Sequence, residues 1–418
     1  METVNELVQR TEDLVEDLDP MQHLRNFDYP RRAGTEGDRK ASAYIAQVLE
    51  HNGIEHFVQE FHFSKPKVLP RLILPLVLLI WTFLSLANLQ FWENNLIISL
   101  IVLALPLVFI LAVLNIDLVM KYMFGRQRRK IQQVATKIDA ETLQVDQVIT
   151  SQNVIAEVGP ENAEKQVLFT AHFDSISSKL PMRVMMVCGI LGFIGLILYS
   201  LFYLINVGID SFLEVNFLKM YFPVFVAFAL VVLTCLEITL LSRIFRGNAS
   251  HGMIDDGTGV AILLELAKFV KNQKIPGIKF TFGFFGAEES GLIGSAYYYM
   301  NRGFDVEKLH VISIDMIGER PPLSYVKGIY PIRRRHMDST FNAQIASIAQ
   351  TLDIETKGIN FPYPGSDFGH FLLDGECTTN WFTNGSHLIH SKQDNLSNVN
   401  EALVKDALKL VVAHFLQV

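Results

Sequence analysis

The sequence predicts a layered α/β fold with a largely parallel central sheet, interrupted by two transmembrane helical hairpins. Three observations lead there. Continuous apolar runs of strand length at 166–173, 278–285 and 309–316 alternate with longer helical patterns. Half of the 418 residues are hydrophobic and only 19% are charged, which is too apolar for an ordinary soluble enzyme. The excess is concentrated in four blocks, each about the length needed to cross a bilayer.

The blocks are 72–92, 94–116 and 184–209, which contain no charged residue, and 220–241, which is interrupted only by Glu237. They read as two hairpins with turns around Glu93 and 210–219. Basic residues cluster where these helices meet the rest of the chain: Lys65, Lys67, Arg71, Lys121, Arg126, Arg128, Arg129, Lys130, Lys179, Arg183, Arg243 and Arg246. The connecting turns offer only Lys219. The positive-inside rule then places the large soluble portion on the cytoplasmic side of a multi-pass integral membrane protein. The opening METVNELVQRTEDLVEDLDP is acidic and amphipathic, with no apolar signal region. Cys188 and Cys235 fall inside expected spans and Cys377 stands alone, so no disulfide framework is expected. The lipid bilayer is thus one expected partner; no nucleic acid is expected, and the oligomeric state is left open.

The soluble pieces read as one interrupted domain. Its parts are 1–66, 123–180 and 246–418, with hairpin 1 at 67–122 and hairpin 2 at 181–245. Within it, 37–51 has a helical pattern (Ala41, Tyr44, Ile45, Val48, Leu49) stopped by Gly53, and 56–63 alternates like a strand. Helical patterns at 259–271 and 341–352 separate the apolar strands.

The chemistry gathers at strand ends. The run 166–173 leads into His172 and Asp174, and 309–316 contains Asp315. Asp255 and Asp256 precede the helix that starts near Gly259, and His390 lies near the C-terminus. The stretch GFFGAEESG places Glu288 and Glu289 side by side after a buried strand, where two carboxylates repel each other. In open α/β sheets ligands bind beyond the carboxyl ends of the strands, so these residues can converge. Two imidazoles with several carboxylates suit divalent metals, zinc first. Two ions would offset the carboxylate repulsion, with one carboxylate bridging ions about 3.5–4 Å apart. One glutamate of the pair can then bind metal while the other stays free as a general base.

The motifs AHFDS, MIDDGTGVA, FFGAEESGLIGS, SIDMIG and IHSKQDN, in this order, resemble those of the M28 zinc peptidases of the two-zinc aminopeptidase type. RRAGTEGDRKASAYIAQVLEHNGI is similar to that family's opening helix and SQNVIAEVGP to its first inner strand. The resemblance implies a three-layer sandwich with a mixed, largely parallel central sheet of the zinc-peptidase/phosphorylase-like kind. It implies two Zn2+ ions, other divalent metals being alternatives. His172 and Asp315 would bind one ion, Glu289 and His390 the other, and Asp255 would bridge them, joined to Asp256 by a cis peptide bond. Glu288 would be the general base and Asp174 the carboxylate that orients His172. Ile254 departs from the small or polar residue usual before the pair, a change expected in the pocket wall.

The implied function is a membrane-anchored metallo-aminopeptidase acting on peptides through a water shared by the metals. The alternatives are a carboxypeptidase or a glutaminyl cyclase-like acyltransferase on the same fold, and, from another class, a non-catalytic binding or transport module. Hairpin 2 enters between His172 and Asp255, so one expectation is an active-site mouth facing the membrane and taking apolar or membrane-associated peptides. The other is simple anchoring.

Overall fold

The computed structural model describes residues 4–65, 67–91, 95–139, 148–213, 217–242, 244–301, 308–330, 334–374 and 378–417. The expected turn at Glu93 lies outside the described residues, as do Arg243 and Cys377. The chain divides into two compact units. Met1–Lys65, Asp117–Ser177 and Asn248–Val418 form one, and Pro66–Ile116 and Ser178–Gly247 form the other.

Along the chain run α1 (Val4–Glu16), α2 (Pro20–Phe27), α3 (Glu36–His51), β1 (Glu55–Ser64), α4 (Val68–Gln90), α5 (Leu96–Leu114), α6 (Ile116–Asp139), β2 (Val148–Val158), β3 (Lys165–His172) and β4 (Ser177–Ser178). Then come α7 (Met182–Leu213), α8 (Phe217–Ser242), β5 (Arg246–Gly247), α9 (Thr258–Gln273), β6 (Ile278–Phe285), α10 (Ile293–Met300), β7 (Leu309–Ile314) and β8 (Leu323–Ile329). The last are β9 (Arg335–His336), α11 (Ser339–Thr351), β10 (Thr356–Phe361), α12 (Gly369–Asp374), β11 (Thr378–Phe382) and α13 (Glu401–Leu416).

In the first unit the strands form a mixed sheet in the order β1-β2-β6-β3-β7-β11-β8-β10, with β9 on β8. The central pairs β6/β3, β3/β7 and β7/β11 are parallel, whereas β1/β2, β2/β6 and β8/β11 are antiparallel. This is the mixed, largely parallel α/β sheet that the sequence predicts. Strand β7 stops at Ile314, before the expected end at Met316, because Met316 turns into left-handed backbone at φ 60°. The sheet has helices on both faces. Residues of α2, α3, α9, α11 and α13 share a core with Val154, Phe169, Phe280 and Phe282, while Ile131, Ile293 and Ala296 pack with Phe61 and Phe63. Phe169 stacks on Phe280 and Phe282 at 6.5 and 5.5 Å, and Phe415 meets Phe169 edge-on at 5.7 Å.

This core includes a titrating group. His414, on α13, lies edge-on to Phe341 at 4.8 Å, and burial, reinforced by His310 and Lys165, lowers its pKa to about 4. The unfolded chain, with an ordinary histidine, therefore binds more protons between about pH 6.5 and 4. Stability present above that window is lost as pH falls through it. His414→Leu should flatten this decline, removing a loss on the order of 2–3 kcal/mol. Urea unfolding of the detergent-solubilised protein at a series of pH values checks it; parallel declines in the two proteins would contradict it.

In the second unit α4, α5, α7 and α8 are each long and apolar enough to cross a membrane. α7 continues to Leu213 and α8 starts at Phe217, so the second connection is shorter than the expected 210–219; no glycine or proline after Gly208 stops α7 there. The sequence gives no polar file along these helices, yet single polar residues meet across them. The Asn88 amide donates to Ser99 Oγ at 2.9 Å and to Tyr203 OH at 2.7 Å, and Ser85 bonds Tyr199. In an apolar setting such bonds join helices that have no hydrophobic reason to associate.

Candidate metal centre

Parallel register brings the site together. His172, the last residue of β3, pairs with Phe285 at the end of β6, and Thr170 pairs with Ser313 of β7. The turns that follow β6 and β7 deliver Glu288, Glu289 and Asp315 to the same carboxyl edge. Asp255 and Asp256 arrive on the loop before α9, joined by a cis peptide bond, and His390 comes from the loop before α13.

The seven expected residues converge. His172 Nε2 lies 3.1 Å from Asp255 Oδ1, 3.8 Å from Asp315 Oδ1 and 3.8 Å from Glu288 Oε2. His390 Nε2 lies 2.8 Å from Glu289 Oε1 and 3.2 Å from the other Asp255 oxygen. Asp255 thus presents one oxygen to each histidine. His172 Nδ1 sits 3.1 Å from the Asp174 carbonyl and 3.6 Å from its carboxylate, which fixes the proton on Nδ1 and leaves the Nε2 lone pair facing acids. The Asp174 carboxylate also accepts the Glu288 backbone N–H at 2.8 Å, so a single residue sets the imidazole, through its carbonyl, and the glutamate turn, through its carboxylate.

A lone pair facing carboxylate oxygens is repulsive unless a cation or proton lies between them. Asp315 Oδ1 is buried without a hydrogen-bond partner, which fits a cation as its missing partner. Two donor groups, His172 with Asp256 and Asp315, and Asp255 with Glu289 and His390, each lie within 4.8 Å of one another. Asp256 meets that distance, but its oxygens already accept the N–H groups of His172, Gly259 and Met316 at 3.2, 3.0 and 3.3 Å. Its neighbour Asp255, with an oxygen toward each histidine, is the better donor to both groups. The donor chemistry of imidazole and carboxylate suits zinc and similar divalent ions.

The electrostatics have one cause, negative charge crowded into a buried place. Burial, then the carboxylates of Glu289, Asp367 and Asp315, holds Glu288 well above the usual carboxylate range, with His172 opposing. Burial also lifts Asp315 to about 7. Burial lowers the proton affinity of His172 and His390, but the surrounding carboxylates outweigh it and raise both. Asp255 moves the other way: burial would raise it, and the two histidines hold it well below its ordinary value.

Sequence reasoning missed the groups that brace this edge. Arg31 is fully buried, and its guanidinium donates to five backbone carbonyls, those of Phe173 and Phe27 at 2.6 Å, Gly252 at 2.8 Å, Tyr29 at 3.3 Å, and His251, and also to the Met253 sulfur at 3.9 Å. It therefore ties the end of β3 to the loop that carries Asp255. Ser175 accepts the Arg31 N–H at 2.9 Å and donates to the Ser250 carbonyl at 3.0 Å. Gly252, at φ 60°, passes so close to Ser175 that a side chain there would collide with it. Asp394 accepts the Ile254 N–H at 2.6 Å. Ile254 itself is fully buried, so it belongs to the core beneath the loop and not to an open pocket wall. Arg31→Met leaves these carbonyls unpaired and should cost about 3 kcal/mol or more of stability. It should also weaken metal binding by about 10–100-fold, as loss of an outer support does. Arg31→Lys, with fewer donors, should restore part of both. Unfolding and metal titration of the two variants check this; unchanged metal affinity in Arg31→Met would contradict the bracing role.

Of the histidines near the motifs, His370 is buried against Phe124 at 4.6 Å, His251 pairs with Asp28 at 2.7 Å, and His387 pairs with Glu319 at 3.2 Å.

Comparison with known proteins bears on the fold and on the C-terminal part of the chain. Residues 239–415 match the family model described as peptidase family M28. Leupeptin-inactivating enzyme 1 of Streptomyces exfoliatus is 31% identical over 174 residues, covering 37% of this chain and 39% of that protein. The chain thus spans about two fifths of the length of that relative. Among solved structures, an aminopeptidase from Aneurinibacillus sp. strain AM-1 superposes with a TM-score of 0.53 at 15% identity, over 97% of this chain and 95% of its own. The Legionella pneumophila LapA aminopeptidase gives a TM-score of 0.51 at 12% identity, over 98% and 73%. At these identities the likeness is one of fold.

Proposed function

We propose that this chain, whose residues 239–415 match the model of peptidase family M28, is a membrane-anchored metallopeptidase of that kind with two metal ions, removing N-terminal residues from peptides. The observation that carries this reading is Asp255, with one oxygen toward His172 and the other toward His390, beside Glu288, which falls in neither donor group. His172 and Asp315 would hold one ion, Glu289 and His390 the other, with Asp255 between them. Bound there, two divalent ions, zinc first, would acidify water and polarise a peptide carbonyl.

The chain's own residues do the rest. Glu288 takes a proton from the attacking water and returns it to the leaving amine. Its raised proton affinity, caused first by burial, suits a group that must hold that proton near neutral pH. Asp174 keeps the Glu288 turn and the His172 ring in register while the proton moves. Asp256, held by three backbone N–H groups, fixes the loop on which Asp255 sits.

The four apolar helices would anchor the unit, and the flanking basic residues favour the cytoplasmic side. The aminopeptidase direction rests on the order of the motifs from AHFDS to IHSKQDN. A panel of peptides with free and blocked N-termini, offered to the detergent-solubilised protein, tests it. Cleavage confined to free N-termini is the expected result. Release of C-terminal residues, or cyclisation of N-terminal glutamine without hydrolysis, would replace it with the corresponding reading on this fold.

A further inference from the structure

Helix α6 starts one residue after α5 ends, with only Asn115 between them, and its two faces differ in kind. On the inner face Phe124, Ile131 and Val134 are buried. Phe124 packs on His370, Arg128 lies over the Tyr299 ring at 4.8 Å, and the Gln127 amide donates to the Gly291 carbonyl. Gly291 closes the glutamate turn, donating its own N–H to the Glu288 carbonyl at 2.7 Å. The inner face of α6 therefore braces the turn that carries the proposed base.

The outer face is apolar and basic together. Leu118, Tyr122 and Met123 are 69%, 63% and 53% exposed. Lys121, Arg126, Arg129 and Lys130 are exposed among them, and positions 121–130 contain no acid. Lys121 pairs with Asp117 at 3.1 Å; Arg126, Arg129 and Lys130 have no ion pair among the described residues. Large apolar side chains interleaved with cations, on a helix that continues a candidate span, have the chemistry of a helix lying at a charged bilayer surface. A polyanion such as nucleic acid would satisfy the cations but not the three apolar side chains.

From this we infer that the outer face of α6 docks on an anionic phospholipid leaflet, and that docking acts on the Glu288 turn through Gln127 and Gly291. Leu118, Tyr122 and Met123 enter the boundary between headgroup and acyl chain, while Arg126, Arg129 and Lys130 meet the lipid phosphates and carboxylates. The attraction weakens with salt, because these charges are exposed. The effect on turnover rests on the hydrolase reading above; the docking itself does not.

The test uses the full chain in nanodiscs of phosphatidylcholine alone or with about one third phosphatidylserine, the anionic lipid supplying the attraction. An environment-sensitive fluorophore is placed at Met123→Cys, with Cys188, Cys235 and Cys377 changed to Ala. In anionic discs its emission should shift to the blue and be quenched by nitroxide lipids of shallow depth. R126Q/R129Q/K130Q should lose most of that shielding, and R126K/R129K should keep it, which separates loss of charge from failure to fold. Hydrolysis by the wild type should rise about threefold or more in anionic discs, and the neutralised variant should not respond. A label that stays water-exposed in anionic discs, or is equally shielded without the three charges, overturns the docking. Shielding by added RNA, with none by anionic lipid, overturns it in favour of a nucleic-acid partner. Docking with an unchanged rate overturns the coupling to the turn. Docking with no hydrolysis in any disc overturns the hydrolase reading and leaves the docking intact.

Discussion

Replacing Glu288 with Gln is expected to lower peptide hydrolysis by about two to four orders of magnitude while leaving metal content unchanged. The amide keeps the size and shape of the side chain but cannot accept the proton of the attacking water. Glu288 is set apart from the donors it accompanies. It falls in neither of the two donor groups, although its Oε2 lies 3.8 Å from His172 Nε2, the same distance as Asp315 Oδ1. Its turn is fixed through its backbone N–H by Asp174, so the substitution leaves that hydrogen bond in place. Retained metal with lost rate, read by elemental analysis and single-turnover hydrolysis, would identify the base. Loss of metal together with rate would move Glu288 into the donor set.

Asp255→Asn should have the opposite signature. One carboxylate serves both histidines, at 3.1 and 3.2 Å, so removing its charge weakens both donor groups at once. Metal affinity should fall by more than about 100-fold, beyond the range for an outer support, and hydrolysis should fall with it. Excess metal should restore little, since an amide supplies only one neutral oxygen to a position that needs two anionic ones. Asp256→Asn should behave differently, because Asp256 is engaged by backbone N–H groups. Metal titration of both variants separates them, and equal losses would mean that the two aspartates share the role.

The central sheet was legible because its inner strands are buried on both faces. The run 278–285 coincides with β6, and 309–316 differs from β7 only where Met316 leaves the β region. Strands β8, β10 and β11 escaped because they are short and carry polar residues, as in Thr378–Phe382, so no continuous apolar run marks them. The metal donors were legible because acids and imidazoles at strand ends stand out against apolar neighbours. Their braces were not. Arg31 acts through carbonyls that no side-chain pattern reveals, and its partners Phe173 and Gly252 lie far away in sequence. The basic run 121–130 looked like the flank of a span; only its packing on Tyr299 and Gly291 shows it as the outer turns of a helix that braces the glutamates.

The most direct test of the account is a titration of the metal-stripped protein with zinc, following peptide hydrolysis against equivalents bound. Two ions sharing Asp255 predict that activity keeps rising into the second equivalent and stops there. Full activity after a single equivalent, or at none, would contradict the two-metal centre on which the proposed chemistry depends.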